Sequence, residues 1–352
     1  MKTITYHLEK ISKYAGIRFD LVQAGGGNSS VKLNSEEMLV KASGINLSEV
    51  TETSGHVKVQ YKNTREWFKN DHLSGLNKQQ RELKGKELLT SVTLTDLKPS
   101  IETFLHALLN TYTLHTHPIS VNTIASQANW KEVFSNQFPD SVCVEYATPG
   151  IDLALSLVNE IKNSQALPKI VFLQNHGLII SSDNPDEVIE LTDSVTTKLN
   201  KLVGLDLDRY QNVSKIQSII DANTNTSSMI YCSDDAIIKQ LISIESSAEV
   251  IWPFCPDTLI YCGIAPVYMK SFEDIKSITD YIGKYSESPK VVIVNDQVYF
   301  VSMSLKKARE SEDLLKFHLL TISKSDKPIN RLSMEEISYL SNWDAEKYRQ
   351  GV

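Results

Sequence analysis

No stretch of the 352-residue sequence approaches the about 18 consecutive apolar residues that a membrane-crossing helix needs, so no membrane partner is expected. The opening MKTITYHLEK also lacks the apolar core of a signal peptide, and a cytoplasmic protein is the expectation. Cysteine is scarce. Cys143, Cys232, Cys255 and Cys262 form no CxxC pair, which reads as free thiols in a reducing compartment rather than a disulfide framework. Positive charge is in deficit: 36 Lys and Arg stand against 43 Asp and Glu, for a net charge of −7. Nucleic acid needs clustered basic residues to meet its phosphates, so it is not an expected partner. A small anion stays open, because a nest of backbone amides can hold a phosphate on an acidic protein. Low-complexity tracts and internal repeats are also missing.

What is present describes a globular chain. Hydrophobic residues make up 41% and charged residues 22%, enough to bury a core, and the length suits two domains. The apolar pattern predicts an α/β fold with a first domain at 1–205, a polar, Asn-rich linker at 206–226 and a smaller α/β domain at 227–352. In the first domain it predicts a helix over 5–16 and a hairpin of 31–33 with 38–41. A polar surface excursion is expected over 55–95. Pro99 and Ser100 should start a helix running to about 110, followed by a β-branched strand at 111–117. A helix from 121, a strand at 142–144 and a helix at 151–162 come next. Strands at 169–174 and 178–180 should pair across the turn Asn175-His176-Gly177. Asn184-Pro185 starts, and Gly204 ends, a long helix. In the second domain, helices are expected at 235–243, 272–285, 305–323 and 334–340. Strands are expected at 249–252, 258–262, 290–294 and 298–301, the last two joined by Asn295-Asp296.

Three groups of residues carry chemistry. His115-Thr116-His117 alternates along the predicted strand, which puts both imidazoles on one face within reach of one metal ion. An HxH pair taken alone reads equally well as two polar residues on the open face of a strand. His176, in its tight turn between two buried strands, is a third candidate ligand or simply a hairpin-turn histidine. Glu102, in the first turn of the Ser100 helix, is a carboxylate that the helix dipole keeps ionised, or an ordinary capping-turn glutamate. Three histidines and a displaceable carboxylate make a tetrahedral zinc-type set. His106, one turn further, reads as a supporting residue. The run Gly25-Gly26-Gly27-Asn28-Ser29-Ser30 could cradle a phosphate, although it is neither GxGxxG nor a Walker loop.

Taken together, GGGNSS, KASG, PSIETFLHALL, LHTHP, EYATPGIDLA and LQNHGLI follow one another across residues 5–203. In this order they resemble the class II aldolase/adducin family. Their spacing is most similar to the aldolase portion of bifunctional rhamnulose-phosphate aldolase/dehydrogenase proteins. The resemblance implies a central mixed sheet flanked by helices, with His115, His117 and His176 binding Zn²⁺ or another divalent metal. It implies Glu102 as the catalytic acid/base and a phosphate held by Asn28, Ser29, Ser43, Gly44 and Ser100. It implies a lyase that cleaves a deoxy-sugar type ketose 1-phosphate, through a metal-stabilised enediolate, into dihydroxyacetone phosphate and a short aldehyde. A homo-oligomer is implied as well. Sugar-phosphate 4-epimerases, a dehydratase and adducin-like non-catalytic binding proteins share the scaffold. Ile101 departs from the fuculose-phosphate branch, which has a second serine there, and no tyrosine aligns with the proton donor that some members use.

Overall fold

The computed structural model describes residues 3–70, 73–224, 228–244 and 251–341. The chain forms two compact units, Met1–Leu207 and Asp208–Val352. Among the described residues no helix is long and apolar enough to cross a membrane. All four cysteines are unpaired.

The first unit opens with helix α1 (Ile4–Gly16), strands β1 (Asn28–Lys32), β2 (Glu37–Lys41) and β3 (His56–Gln60), and helices α2 (Tyr61–Trp67) and α3 (Lys78–Val92). Helix α4 (Thr103–Leu108), strand β4 (Tyr112–Thr116) and helices α5 (Ile119–Ala125) and α6 (Trp130–Gln137) follow. Strand β5 (Val142–Val144), helix α7 (Ile151–Ile161), strands β6 (Ile170–Leu173) and β7 (Gly177–Ser182) and helix α8 (Pro185–Val203) complete it. The seven strands form one mixed sheet in the order β3-β2-β1-β4-β7-β6-β5. Only the β5–β6 pair is parallel.

Alternation along the strands sorts the core into two layers. Leu39, Leu114, Phe172, Leu178 and Ile180 face α1, α5, α6 and α8. Met38, Val40, Val171, Leu173 and Ile179 face α2, α3, α4 and α7. Central strands β4 and β7 are buried along their whole length. Thr113 and His115 on β4 therefore point into the α4 layer, a polar stripe within an apolar face.

Two expectations for this unit are corrected. Residues 55–95 are not a surface excursion: β3 buries Val57 and Val59, and α3 buries Leu88 and Val92. Their apolar residues are few because each element gives only a narrow face to the core, and the exposed faces dominate the composition. The helix expected from Pro99-Ser100 begins later, at Thr103, so Glu102 stands at the N-cap rather than in the first turn.

The second unit contains helix α9 (Asp208–Thr224), strand β8 (Met229–Cys232), helices α10 (Ala236–Ile244) and α11 (Pro256–Cys262), strand β9 (Val267–Met269) and helix α12 (Ile275–Tyr285). Strands β10 (Val291–Val294) and β11 (Gln297–Ser302) and helices α13 (Leu305–Ser323) and α14 (Met334–Ser341) follow. Its sheet runs β8-β11-β10-β9, with β9 and β10 parallel. The β10–β11 hairpin turns on Asn295 and Asp296, both left-handed at φ 50° and 58°, the conformation a two-residue hairpin turn demands. The expected linker is instead helix α9 over most of its length. Its buried residues Tyr210, Val213, Ile216 and Ile220 recur every three or four positions. Residues 258–262, expected as a strand, lie in helix α11, which Pro256 starts at a position where no amide is needed. Of the strand expected at 249–252, residues 249 and 250 lie outside the described residues, and Ile251 and Trp252 form a turn and a bend rather than a strand.

Candidate metal centre

The three histidines come together because of strand register. In the β4–β7 ladder His115 lies opposite Ile179 and Thr116 opposite Leu178. Alternation then puts His117, the next residue beyond β4, on the same side as His115. The turn that starts β7 brings His176 back over them, with Asn175 left-handed at φ 52°. His117 Nε2 lies 3.0 Å from His115 Nε2, which lies 3.3 Å from His176 Nε2. Glu102 Oε1 joins from the start of α4, 3.0 Å from His176 Nε2 and 3.4 Å from His115 Nε2.

The tautomer of His115 follows from its partner. Its Nδ1 lies 3.0 Å from the carbonyl oxygen of Leu178, which can only accept, so Nδ1–H donates and, in the neutral imidazole, Nε2 has its lone pair toward the cluster. This is the arrangement that aims a histidine at a metal and fixes its ring.

Charge is distributed accordingly. Burial alone would raise the Glu102 carboxyl, but the His115 and His176 imidazoles outweigh it and hold the group well below the usual carboxylate range. Burial lowers His115, and Glu102 more than reverses that. His117 is pushed down to about 3, by burial first and then by the positive charge that His115 and His176 can carry. His117 is thus a neutral imidazole at any working pH, the form a metal ligand needs.

The residues fit a divalent metal. The three histidine ligand atoms lie within 4.8 Å of one another. Two nitrogens each about 2.0–2.1 Å from one tetrahedral zinc are roughly 3.3–3.4 Å apart, close to what His115 and His176 show.

A family model described as Class II Aldolase and Adducin N-terminal domain matches residues 8–199. The chain belongs to this family. A search of curated proteins found no match. Among solved structures, the N-terminal class II aldolase domain of a conserved protein from Thermoplasma acidophilum is 23% identical, with a TM-score of 0.50. The match covers 58% of this chain and 95% of that one. An aldolase II superfamily protein from Pseudomonas syringae is 16% identical, with 57% and 75% covered and a TM-score of 0.41. L-fuculose-1-phosphate aldolase from Thermus thermophilus is 14% identical, with 58% and 95% covered and a TM-score of 0.38.

Around the histidines of this class II aldolase and adducin unit, two glycines matter for lacking a side chain. A Cβ at Gly26 would lie 2.8 Å from His117 Nδ1, and one at Gly177 would lie 2.3 Å from the carbonyl oxygen of Thr116. The glycine run and the β7 start can therefore close on His117 from two sides. The packing role of Gly26 is separate from the anion cradle that the motif GGGNSS suggests.

The other expected site residues divide. Asn28 pairs with His115 in the β1–β4 ladder and so faces the same side. Its Oδ1 accepts from the Ser29 amide at 2.8 Å, while its buried Nδ2 has no partner. The turn carrying Ser43 and Gly44 is tied to Ser100 through the Ala42–Pro99 bridge and the 2.9 Å bond from Ser43 N to Lys98 O. Gly44 is exposed and left-handed at φ 81°. Ser29 is the exception. Alternation turns it to the opposite face, where its hydroxyl lies 2.7 Å from that of Ser12 on α1, and its assignment to a phosphate is withdrawn. His106 is fully buried and its Nδ1 bonds the Ser30 hydroxyl at 2.8 Å, so it stays outside the histidine cluster.

Proposed function

We propose that the chain is a metal-dependent aldehyde-lyase that cleaves a small ketose 1-phosphate into dihydroxyacetone phosphate and a short aldehyde. The observation that carries this reading is the convergence of the Glu102 carboxylate and three imidazole nitrogens at one point of a family fold. A non-catalytic scaffold has no physical need for that set. A divalent ion such as zinc, held by His115, His117 and His176, would supply Lewis acidity toward a carbonyl and its neighbouring hydroxyl. Glu102 is the acid/base, ionised at rest because its imidazole neighbours outweigh burial. In cleavage the C4 hydroxyl gives up its proton to solvent, its oxygen becoming the aldehyde carbonyl, and the C3–C4 bond breaks with its electron pair on C3. Glu102, which takes up a proton from solvent, delivers it to C3 and returns to its ionised form. Asn28 Nδ2, Ser43, Gly44 and Ser100 supply donors for the phosphate, and the unpartnered Nδ2 of Asn28 supports this most directly. The reading includes a homo-oligomer.

The test is metal analysis of the purified chain beside a His117→Ala variant, with release of dihydroxyacetone phosphate measured across a panel of ketose 1-phosphates. About one zinc per chain, lost in the variant together with product release, supports the assignment. Metal without cleavage of any panel member moves the reaction to an epimerase or dehydratase. Absence of metal, with the variant unchanged, leaves a binding protein.

A further inference from the structure

Arg18 has no exposed surface and no part in the site described above. Its Nε donates to Asp20 Oδ1 at 3.0 Å and its Nη2 to Asp20 Oδ2 at 2.6 Å. Its Nη1 donates to the Tyr14 hydroxyl at 2.8 Å and to Asp193 Oδ1 at 2.5 Å. A buried ion pair is a poor source of stability, since desolvation offsets most of the attraction and apolar residues of equal volume serve as well. What such a pair does well is hold one geometry.

Here the geometry held is the turn at 17–22. The amides of Leu21 and Val22 both close on the Arg18 carbonyl, at 3.1 and 3.0 Å. Two carbonyls of the same turn grip the chain just past β4. Asp20 O accepts from Ile119 N at 3.1 Å, and Leu21 O accepts from His117 N at 2.8 Å. The three histidines differ in their need for this. His115 lies within the β4 ladder, with its ring bonded to Leu178 O, and His176 lies in the β6–β7 turn. His117 is one residue beyond the last ladder position, Thr116, and no strand holds its backbone.

We propose that Arg18 and Asp20 are positioning residues for His117, fixing the turn that clamps its backbone and so setting the third metal ligand in place. The inference rests on reading the histidines as a metal centre.

The test uses the full chain with Arg18 and Asp20 replaced together, Arg18→Met with Asp20→Leu, so that neither buried charge is left without the other, while Asp193 is partly exposed and keeps the Tyr14 hydroxyl. Asp20→Asn is a milder second variant should the double one not fold. Asp193→Asn is the control, since it removes an Arg18 partner that lies on α8, outside the turn. Two quantities are read: amide hydrogen exchange at His117 and Ile119 in metal-free protein, and Co²⁺ affinity with its visible absorption spectrum. The expected result is exchange about tenfold faster at those two amides but not at Leu114 or His115. Co²⁺ affinity should fall about 10- to 100-fold with an altered spectrum, and the control should match the parent in both. Parent-like exchange in the variants overturns the clamp. Faster exchange with an unchanged Co²⁺ affinity and spectrum overturns the positioning role. A parent chain that binds no Co²⁺ overturns the metal reading itself, and the ligand role with it.

Discussion

Gly177 lies directly against His117. A Cβ built at Gly177 would stand 3.0 Å from His117 Cδ2, 3.3 Å from His115 Cε1 and 2.3 Å from the carbonyl oxygen of Thr116. The start of β7 and the end of β4 pass closer than any side chain permits, and this closeness lets residues from two strands and a turn share one point.

Gly177→Ala should therefore cost metal binding as well as stability. The nearest obstacle is backbone, which cannot swing aside, so the strands must part. The expected result is less than one metal per chain and a loss of about 1–3 kcal/mol in urea unfolding. A variant with parent metal content and parent midpoint would show that the contact has slack.

Glu102→Gln separates binding from chemistry. The amide keeps the shape of the carboxylate but cannot take and return a proton. Metal content should hold while product release falls about 10²–10⁴-fold. Activity within a few-fold of the parent would remove Glu102 from the acid/base role.

Asn28 and Ser29 are neighbours with opposite directions, and their alanine variants should behave differently. Asn28→Ala removes a buried donor beside His115 and should raise KM for a phosphorylated substrate about tenfold, as one hydrogen bond to a charged group would. Ser29→Ala removes a partner of Ser12 on the α1 face. It should leave KM alone and cost about 1 kcal/mol of stability. Equal KM effects would mean that the register of β1 is not the one described.

Lys32 makes stability depend on pH in a predictable direction. Burial pushes its ammonium down to about 7, Arg65 adds to this and Asp183 opposes it. The unfolded chain carries that proton up to the ordinary lysine value of 10.5. Between pH 7 and 10 the unfolded state thus binds one more proton at this position, so stability rises with pH there, by up to about 1.4 kcal/mol per unit. Lys32→Met should lack this rise. Unfolding of parent and variant at pH 7, 8 and 9 checks it, and parallel pH curves would refute it.

Legibility in the sequence is uneven for physical reasons. The helix at 305–323 and the β10–β11 hairpin are readable at nearly their observed limits, because capping and turn residues act locally: Ser304 caps the first and Asn295-Asp296 turns the second. The 55–95 region reads as surface because β3 and α3 bury so few residues. Helix α9 reads as a linker because its polar faces mask four buried positions. Residues 258–262 carry the short apolar run of a strand, and such a run cannot separate strand from buried helix by itself.

The candidate site divides along the same line. The residue types and spacing by themselves determined that His115 and His117 share a face, since alternation is a property of any strand, and the family motifs pointed to His176 and Glu102. Only tertiary structure decided that Ser29 turns away while Asn28 stays, that Leu178 O sets the His115 tautomer, and that the turn held by Arg18 and Asp20 grips the backbone of His117. Each of these depends on contacts between segments far apart in the chain, and register, burial and hydrogen bonding across such distances arise only when the whole unit packs.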